Sequence, residues 1–537
     1  MDRKWWTLVA VCTGIFMLLL DISIVNVALP YIEQDLKASL ADLQWVIDAY
    51  ALTLAAFLLT AGTVADAVGR RRVFSIGVVV FTAGSLLCGL ATGPTFLALA
   101  RAAQGVGGAI MFATSLALLA QAFHGRDRGI AFGVFGMITG VAIAIGPVLG
   151  GALTSGLSWR WIFFVNIPIG IIALAIALLR VDESRSPRTR RPDWIGFFTF
   201  STGLGALVFG LIRSGESGWS SATVVGSLAA AVVLLGAFVV AEYVQREPMF
   251  DLKLTRVPTF DGGLIAAVGL SASLFSILTY IALYLQNVLG YSALQTGVRF
   301  LPLTGAIFVA AGIAGRLTSR VPIRYMLGLG FVLGGVGMSL MRGLTPASGW
   351  THLLPGMIVA GVGIGLINVP LAATAVGVVE PARAGMASGI NSTFRQVGIA
   401  TGIAVLGTIF VSQIRTGIIG RLNGTLLGGR SHEIAAGVAT GHFRQVVAGL
   451  PGPLRDTAAA ATGTGFVDAL NTIMLVAVLV CAVSAVLTFF LVRQRDFVGA
   501  AQAGVAAEPA VQEAAGRPGA YRGREREGEV CVDCPAA

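Results

Sequence analysis

Long apolar runs recur through the whole of this chain, with short polar segments between them. A helix needs about 20 mostly apolar residues to cross the hydrocarbon core of a bilayer. Fourteen runs are near or above this length, and we predict a membrane-spanning helix at each: 8–30, 45–65, 73–92, 95–120, 130–155, 162–179, 195–212, 222–241, 262–285, 298–315, 325–341, 353–377, 393–413 and 466–492. The chain is therefore predicted to be an all-α polytopic membrane protein.

Charged residues are scarce in this chain. The 37 Lys and Arg and 27 Asp and Glu make up 12% of the 537 residues, whereas a soluble domain is about 25% charged. This composition excludes an ordinary soluble enzyme. We assign the net charge of +10 to cytoplasmic loops, which are enriched in Lys and Arg in membrane proteins. No nucleic-acid partner is expected.

The distribution of Lys and Arg predicts the orientation of the spans. Nineteen of them lie in the connections on the side of the two termini, whereas the opposite short loops hold four, which are Lys37, Arg160, Arg213 and Arg342. By the positive-inside rule both termini are expected in the cytoplasm. Segment 414–465 is then an exterior loop, expected to form a loosely ordered cap, and the tail 501–537 is expected to be disordered.

Six charged residues fall inside the predicted spans: Asp21, Asp48, Arg101, Arg299, Arg395 and Asp468. A charge at mid-bilayer costs about 2.5–3.5 kcal/mol even on the lenient insertion scale, so such residues usually face a partner or a wet cavity. Asp21 and Arg101 lie deepest and are assigned to function. For Asp48 function and solvation at the span end are equally supported, and the other three are interpreted as structural. A lone carboxylate in a membrane can carry a proton or attract a cation, and the sequence does not separate these roles.

Enzymatic signatures are missing from the sequence. None of the three lysines, Lys4, Lys37 and Lys253, follows a glycine as a phosphate-binding loop requires. The four histidines are dispersed, and Cys531 and Cys534 lack a second metal-binding pair. We therefore expect no catalytic residue, no metal and no cofactor. Transport driven by an ion gradient is the function class that remains.

The connection after the second span carries the most specific motif. It runs Gly62-Thr-Val-Ala-Asp66-Ala-Val-Gly69-Arg70-Arg71-Arg72, which matches the loop signature G-x-x-x-D-x-x-G-R-[RK] of the major facilitator superfamily. The chain resembles in particular the fourteen-span drug:proton antiporter branch, over residues 5–495. The resemblance assigns Gly62, Asp66, Gly69 and Arg70 to the cytoplasmic gate.

Further strings support this resemblance. Leu20-Asp21 to Leu29-Pro30 is similar to the branch pattern L-D-x-T-I-V-N-V-A-L-P, and some multidrug members have an acid at the position of Asp48. Arg101-Ala-Ala-Gln104-Gly105 is similar to R-x-x-Q-G, which the family implicates in proton coupling. Gly146-Pro147 and Gly150-Gly151 resemble the G-P-x-x-G-G end of the antiporter signature, which marks exporters.

The second half carries weaker copies of such motifs. Residues 315–324 repeat the gate loop with Ser319 in place of the acid and Pro322 in place of the second glycine, so the gate is expected to be asymmetric. Asn391-Ser-Thr-Phe-Arg395-Gln396-Val-Gly398 resembles another branch signature, to which we assign no role.

The resemblance implies a major facilitator fold of fourteen transmembrane helices. The expected domains are a six-helix bundle in 1–192, an inserted helix pair and linker in 193–256, and a second six-helix bundle in 257–500. The implied function is proton-coupled efflux of hydrophobic antibiotics, drugs or secondary metabolites by alternating access, by a functional monomer in the cell membrane. The alternatives are a dedicated exporter of one endogenous metabolite or lipid, and a receptor or scaffold without transport.

Overall fold

A computed structural model describes residues 2–123, 125–184, 193–245, 248–318, 320–379, 384–439 and 452–497. Its long helices are numbered here in chain order. They are α1 Arg3–Leu36, α2 Leu40–Val68, α3 Arg70–Gly89, α4 Pro94–Ala122, α5 Gly125–Gly156, α6 Trp161–Arg180, α7 Trp194–Ser217, α8 Ala222–Val244, α9 Pro258–Val288, α10 Ala293–Leu317, α11 Ile323–Met341, α12 Leu354–Gly377, α13 Ala384–Leu422 and α14 Gly452–Leu491.

Each predicted span coincides with one of these helices. Thirteen helices of the described part are long and apolar enough to cross a membrane, and α5, with 32 residues, lies at the remaining predicted span. Local sequence sets several helix starts. Ser39 and Asp42 form a capping box at α2, and Ser292 and Gln295 form one at α10, which satisfies backbone amides that have no partner within the helix.

Most helices pack with near neighbours in two groups. Helices α1 to α6 contact one another through pairs such as α2–α4, α3–α4 and α1–α5, and α9 to α14 do so through α11–α12, α10–α12 and α13–α14. Helices α7 and α8 pair with each other, and α7 also contacts α2 and α13. The pair α7 and α8 lies against the seam between the two groups, through the contacts of α7 with α2 and α13.

Hydrogen bonds join the two bundles at the end of the molecule away from both termini. Thr279 of α9 donates to Asn26 of α1 at 3.0 Å, and Gln286 donates to the carbonyl of Val27 at 2.8 Å. The backbone amide of Leu294, at the start of α10, donates to Ser155 at the end of α5. This end of the interface is closed.

The expected exterior loop, 414–465, is largely helical where the structure describes it. Helix α13 continues to Leu422, a further helix spans Ser431–Ala439, and α14 already begins at Gly452. The expectation of a loosely ordered cap is corrected, because an apolar face of this segment joins the core of the second bundle through Ile418, Leu422, Leu427, Ile434, Ala435, Val438, Ala458 and Ala461. The tail 501–537 lies outside the described residues.

Helix α9 departs from regular α-helix twice. Residues Leu270–Phe275 and Tyr284–Val288 form π-helical turns on either side of the α-helical segment Ser276–Leu283. A π turn inserts an extra residue into the helix and is frequent at functional sites. Here the two turns flank Thr279 and Tyr280, two of the residues through which α9 bonds the first bundle.

Candidate functional site

Asp21 of α1 and Arg101 of α4 form an ion pair in the interior of the first bundle. Nη1 of Arg101 lies 2.5 Å from Oδ2 of Asp21, and the two residues are 1% and 0% exposed. Arg101 also donates from Nε to the backbone carbonyl of Val46 on α2, at 3.1 Å. Each ion therefore has a partner, which is the condition for holding charges in a dry interior.

Amide and hydroxyl groups complete the surroundings of Asp21. Gln104, one turn after Arg101, donates to Oδ1 of Asp21 at 2.8 Å and accepts from Nη1 of Arg101 at 2.6 Å. Asn166 of α6 donates to the same Oδ1 at 3.2 Å. Ser85 of α3 accepts from both amides, at 2.6 and 3.0 Å. Four helices thus place side chains around one carboxylate, and we call these five residues the Asp21 network.

Tyr50 of α2 covers the network from one side. Its ring centroid lies 4.2 Å from the guanidinium carbon of Arg101, and the ring of Phe163 lies 5.8 Å from it on α6. Tyr50 is buried, and its hydroxyl has no hydrogen-bond partner among the described residues. Two buried aromatic rings therefore lie against the guanidinium of Arg101.

Asp48 lies outside the Asp21 network, although it is only two residues from Tyr50. Two residues differ by about 200° around a helix, so Asp48 points away from Arg101. It is 0% exposed, and neither carboxylate oxygen has a hydrogen-bond partner among the described residues. Nearby residues of α2 pack against α7 and α13: Ala51 and Trp45 contact a cluster of Val208, Ile212, Ala400 and Ala404. Asp48 therefore lies at the junction of both bundles and the inserted pair.

The other charged residues of the spans have different surroundings. Asp468 pairs with Arg421 near the end of the second bundle that lies away from the termini. The guanidinium of Arg299 lies 3.6 Å from the ring centroid of Tyr291 and donates to the carbonyl of Gln295. Both arrangements fit the structural interpretation. Arg395 is half-buried on α13, with its guanidinium carbon 5.9 Å from the ring of Phe275.

The predicted gate loop is a tight turn between α2 and α3. Asp66 lies in the last turn of α2, and Gly62 lies one turn before it. Gly69 has φ +128°, in the region that favours glycine, and it joins the two helices directly. Arg70 donates from its backbone amide to the carbonyl of Ser184 and from Nη1 to Gln121 of α4. The loop is therefore held against α4 and the end of α6.

Glu183, which the sequence did not single out, occupies the start of α3. Its carboxylate accepts from the backbone amides of Arg71 and Arg72 at 3.1 and 3.2 Å, and their side chains lie 3.8 and 3.7 Å from it. The amides at a helix N-terminus carry a partial positive charge, which a carboxylate stabilises. A Cβ added at Gly69 would lie 2.7 Å from Oε1 of Glu183. Glycine at this position thus leaves room for the Glu183 carboxylate.

The weaker loop copy between α10 and α11 has no comparable cap. Pro322 precedes α11, and among the described residues no side chain caps the start of this helix. Arg324 donates to the hydroxyl of its neighbour Tyr325. A Cβ added at Gly315 would have no atom within 4 Å. Ser319 lies outside the described residues.

The glycines of the antiporter signature face two helices. A Cβ at Gly150 would lie 2.7 Å from Cγ1 of Ile24 on α1, and one at Gly146 would collide with Ser23. On the other face, a Cβ at Gly151 would lie 2.5 Å from the carbonyl oxygen of Ala293 on α10. Pro147 lies inside α5, and its carbonyl touches Gly297 of α10. These residues therefore place α5 directly between α1 and the second bundle.

Sequence reasoning missed Ser85, Asn166 and Glu183. Asn166 is an amide within an otherwise apolar span, and buried polar groups in spans need partners. Its residue type alone could therefore have indicated that it belongs to a polar site. Ser85 offers no such signal, because serine is tolerated in spans through hydrogen bonds to its own helix. Glu183 lies in a loop of mixed charge, where an acid is unremarkable.

Comparison with known proteins gives one family. The sequence profile of the Major Facilitator Superfamily matches residues 11–403. Puromycin resistance protein pur8 of Streptomyces alboniger is 39% identical, over 76% of this chain and 82% of that protein. Multidrug resistance protein Stp of Mycobacterium tuberculosis is 37% identical, over 76% of each chain. The tetracenomycin C resistance and export protein of Streptomyces glaucescens is 34% identical, over 77% of each chain.

Solved structures agree in fold. A bacterial homologue of the human lysosomal transporter Spinster, in an inward-facing and occupied conformation, superposes with a TM-score of 0.62. It is 17% identical and covers 93% of this chain and 99% of its own. The human organic anion transporter MFSD10 superposes with a TM-score of 0.56 at 13% identity, over 90% of this chain and 100% of that one. At such identities the likeness is one of fold alone.

Proposed function

The chain belongs to the major facilitator superfamily, and from this membership we propose that it exports hydrophobic antibiotics, drugs or related secondary metabolites across the cell membrane in exchange for protons. The observation that carries the proposal is its similarity, over three quarters of its length, to proteins named for antibiotic and multidrug resistance. Such export confers resistance on the cell that makes it. No cofactor is needed, since the proton gradient drives the cycle, and the monomer is the proposed working unit.

The Asp21 network supports proton coupling. The carboxylate is held by one cation and two amide donors, so both of its oxygens have hydrogen-bond partners in this conformation. If Asp21 is protonated, Arg101 loses its counter-ion and must move or find another anion. Protonation is thereby linked to the relative position of α1 and α4, which alternating access requires.

Asp48 is the second proposed proton site. Unlike Asp21, its carboxylate has no hydrogen-bond partner among the described residues. A carboxylate ion with no partner in a dry interior costs several kcal/mol, whereas the neutral acid costs much less. Tyr280 of α9 is the titratable side chain near Asp48, and α7 and α13 present apolar residues to this part of α2. We propose that Asp48 is protonated while the seam is closed and releases its proton when the seam opens to water.

The remaining parts of the proposed cycle follow from the loops. Both termini and the gate loop 62–72 are placed in the cytoplasm by the excess of Lys and Arg on their side. The contacts between α1 and α9 and between α5 and α10 then close the exterior side. Glu183 and Gly69 hold the gate loop, and its rearrangement accompanies closure of the cytoplasmic side.

A dedicated exporter of one endogenous metabolite is the second candidate. It is favoured by relatives that are named for single compounds, such as tetracenomycin C and cephamycin. A broad drug panel separates the candidates, because a dedicated exporter protects against one chemical series only.

The proposal is tested by expressing the chain in an efflux-deficient host and measuring susceptibility to a drug panel, with and without a protonophore. Wild type is expected to raise tolerance to at least one hydrophobic antibiotic, and the protonophore to abolish the gain. Asp21→Asn and Asp48→Asn remove the titratable groups and are expected to abolish the gain at unchanged expression. Asp468→Asn, an acid outside both sites, is the matched control and keeps it. Drug tolerance equal to wild type in the Asp21→Asn variant would show that Asp21 takes no part in the mechanism.

A further inference from the structure

Helix α13 carries an arginine, Arg395, that the proposed proton cycle does not use. It lies within a membrane span and is half-buried. No acidic side chain of the described residues pairs with it, in contrast to Arg101 with Asp21 and Arg421 with Asp468. Its aromatic neighbour Phe275 lies 5.9 Å away. A cation–π contact contributes about 0.5–2 kcal/mol and leaves the charge in place, so the described protein groups do not neutralise Arg395.

The contacts of α13 show which way Arg395 points. One face of α13 packs against α9, where a Cβ at Gly398 would lie 2.8 Å from the carbonyl of Val268. Another face packs against α2, where Thr393 donates to the carbonyl of Ala55 at 3.4 Å. Successive residues differ by about 100° around a helix, which places Arg395 and Ile403 on the wider side between these two faces, where Gln44 of α2 and Tyr280 of α9 both reach α13. Arg395 therefore faces the seam between the two bundles.

The seam is more fully buried at Ile403 than at Arg395. Gln44 of α2 and Tyr280 of α9 both donate to the carbonyl of Ile403, at 3.4 and 2.9 Å, and Tyr280 is buried. Arg395 lies eight residues earlier, about 12 Å along the helix. There both Arg395 and Phe275 are half-buried. The two side chains thus remain partly accessible, about 12 Å from the polar contact that joins the bundles.

We propose that Arg395 and Phe275 form a binding site for the anionic group of an aromatic transported molecule. The guanidinium offers paired donors to a carboxylate, phenolate, sulfonate or phosphate, and the ring of Phe275 offers a surface for an aromatic body. The deficit of negative charge around Arg395 is the reason that an anion, rather than a cation, is preferred. The assignment rests on the proposed function only in that the ligand is a transported one.

A pair of fluorescent dyes tests the charge preference. 8-Anilinonaphthalene-1-sulfonate and N-phenyl-1-naphthylamine share one aromatic skeleton and differ by the sulfonate. Their affinities are measured by fluorescence titration of the full chain in nanodiscs of phosphatidylcholine, without a proton gradient. Arg395→Gln is expected to weaken binding of the sulfonated dye about tenfold and to leave the neutral dye within about twofold. Arg395→Lys keeps most of the affinity, and Arg299→Gln, an arginine near the outer end, is the matched control and changes neither.

Unchanged binding of the sulfonated dye by Arg395→Gln overturns the proposal, as does an equal loss for both dyes in a variant that elutes as a monodisperse protein. If Arg395→Gln does not yield folded protein, Arg395→His gives the same test within one variant. The sulfonate stays charged while the imidazole loses its proton as pH rises, so dye affinity is expected to fall with pH in Arg395→His and not in wild type. A pH-independent affinity in Arg395→His overturns the proposal.

Two further arms separate the possible sources of the anion. Replacing part of the phosphatidylcholine by phosphatidylglycerol should leave the dye affinity unchanged; a loss in wild type and not in Arg395→Gln would show that a lipid headgroup holds Arg395 and overturn the assignment to a transported molecule. Efflux is measured separately with the drug panel. Absent efflux with intact charge-selective binding would reject the proposed transport function and, with it, the transported ligand, while the anion preference itself stands.

Discussion

The two bundles hold their intramembrane arginines in opposite ways. Arg101 of the first bundle is 1% exposed and bonded to Asp21, Gln104 and the carbonyl of Val46. Arg395 of the second is half-buried, with the ring of Phe275 as its neighbour. A buried ion pair is stabilised by its own partner, whereas an unpaired and partly exposed cation can bind an incoming anion. This difference is the basis on which we propose coupling in the first bundle and ligand contact in the second.

The largest expected loss of stability comes from breaking the ion pair between Asp21 and Arg101. Arg101→Met leaves the Asp21 carboxylate buried without its cation, and such a change costs about 3–5 kcal/mol. Arg395→Met removes a cation that no protein acid neutralises, and no loss of stability is expected. The measurement is the fraction of monodisperse protein after heating in detergent. Equal heat stability of the two variants would show that the Asp21 ion pair does not stabilise the first bundle.

A double variant tests the same ion pair. Asp21→Asn combined with Arg101→Met removes both charges, and replacing both partners of a buried pair is often close to neutral. The double variant is therefore expected to recover heat stability that Arg101→Met lost. A double variant less stable than Arg101→Met would contradict the pairing.

Substitutions of glycine in the gate loops of the two halves are expected to change the stability of the protein by an intermediate amount. Gly69→Ala places a Cβ at φ +128° and 2.7 Å from Glu183, and backbone strain of this kind costs about 1–3 kcal/mol. Gly315→Ala, at the position of the loop copy that corresponds to Gly62, meets no atom within 4 Å and lies in a helix, where alanine is preferred by about 0.5–1 kcal/mol. It is the control for a glycine substitution without strain, so the two substitutions are expected to shift the unfolding temperature in opposite directions. A higher unfolding temperature for Gly69→Ala would show that neither its φ nor its distance from Glu183 strains the loop.

The smallest expected effect concerns the cap of α3. Glu183→Gln keeps hydrogen-bonding atoms near the amides of Arg71 and Arg72 but removes the charge, which at a helix N-terminus contributes about 0.3–1 kcal/mol. The neighbouring acid Asp182 pairs with Arg3 on an exposed surface, where ion pairs contribute little. Asp182→Asn is therefore the control. Resistance measured on the drug panel should fall for Glu183→Gln only, and an equal fall in both variants would deny Glu183 a specific part in the gate.

Much of the fold was predictable because membrane spans are local in sequence. Each span prediction coincides with a helix, and Gly69 lies at a turn with φ +128°, a conformation that favours glycine. The exterior segment was predicted less well. Its alanines and glycines indicated loose chain, yet Leu422 and Ile434 are buried in the second bundle. That burial depends on a surface that other helices supply.

The candidate site was predictable in residue type and only partly in arrangement. Asp21 and Arg101, singled out by their depth in the spans, and Gln104, singled out by the resemblance, lie together in the structure. Asp48 was grouped with them and lies apart, because the turn of α2 directs Tyr50, and not Asp48, toward Arg101. The roles assigned to these residues, and the domain boundaries at 192 and 256, stay predictions.

By itself the sequence determined the number of spans, the scarcity of charge within them and the identity of the few charged residues that remain there. These properties depend on the apolar content of about 20 consecutive residues, which no tertiary contact alters. Only the tertiary structure decided which charges are paired. Asp21 and Arg101 are 80 residues apart, and Glu183 and Arg72 are 111 apart. Whether Arg395 is neutralised or free for a ligand depends on which side chains four separate helices bring to one depth, and that is a property of packing.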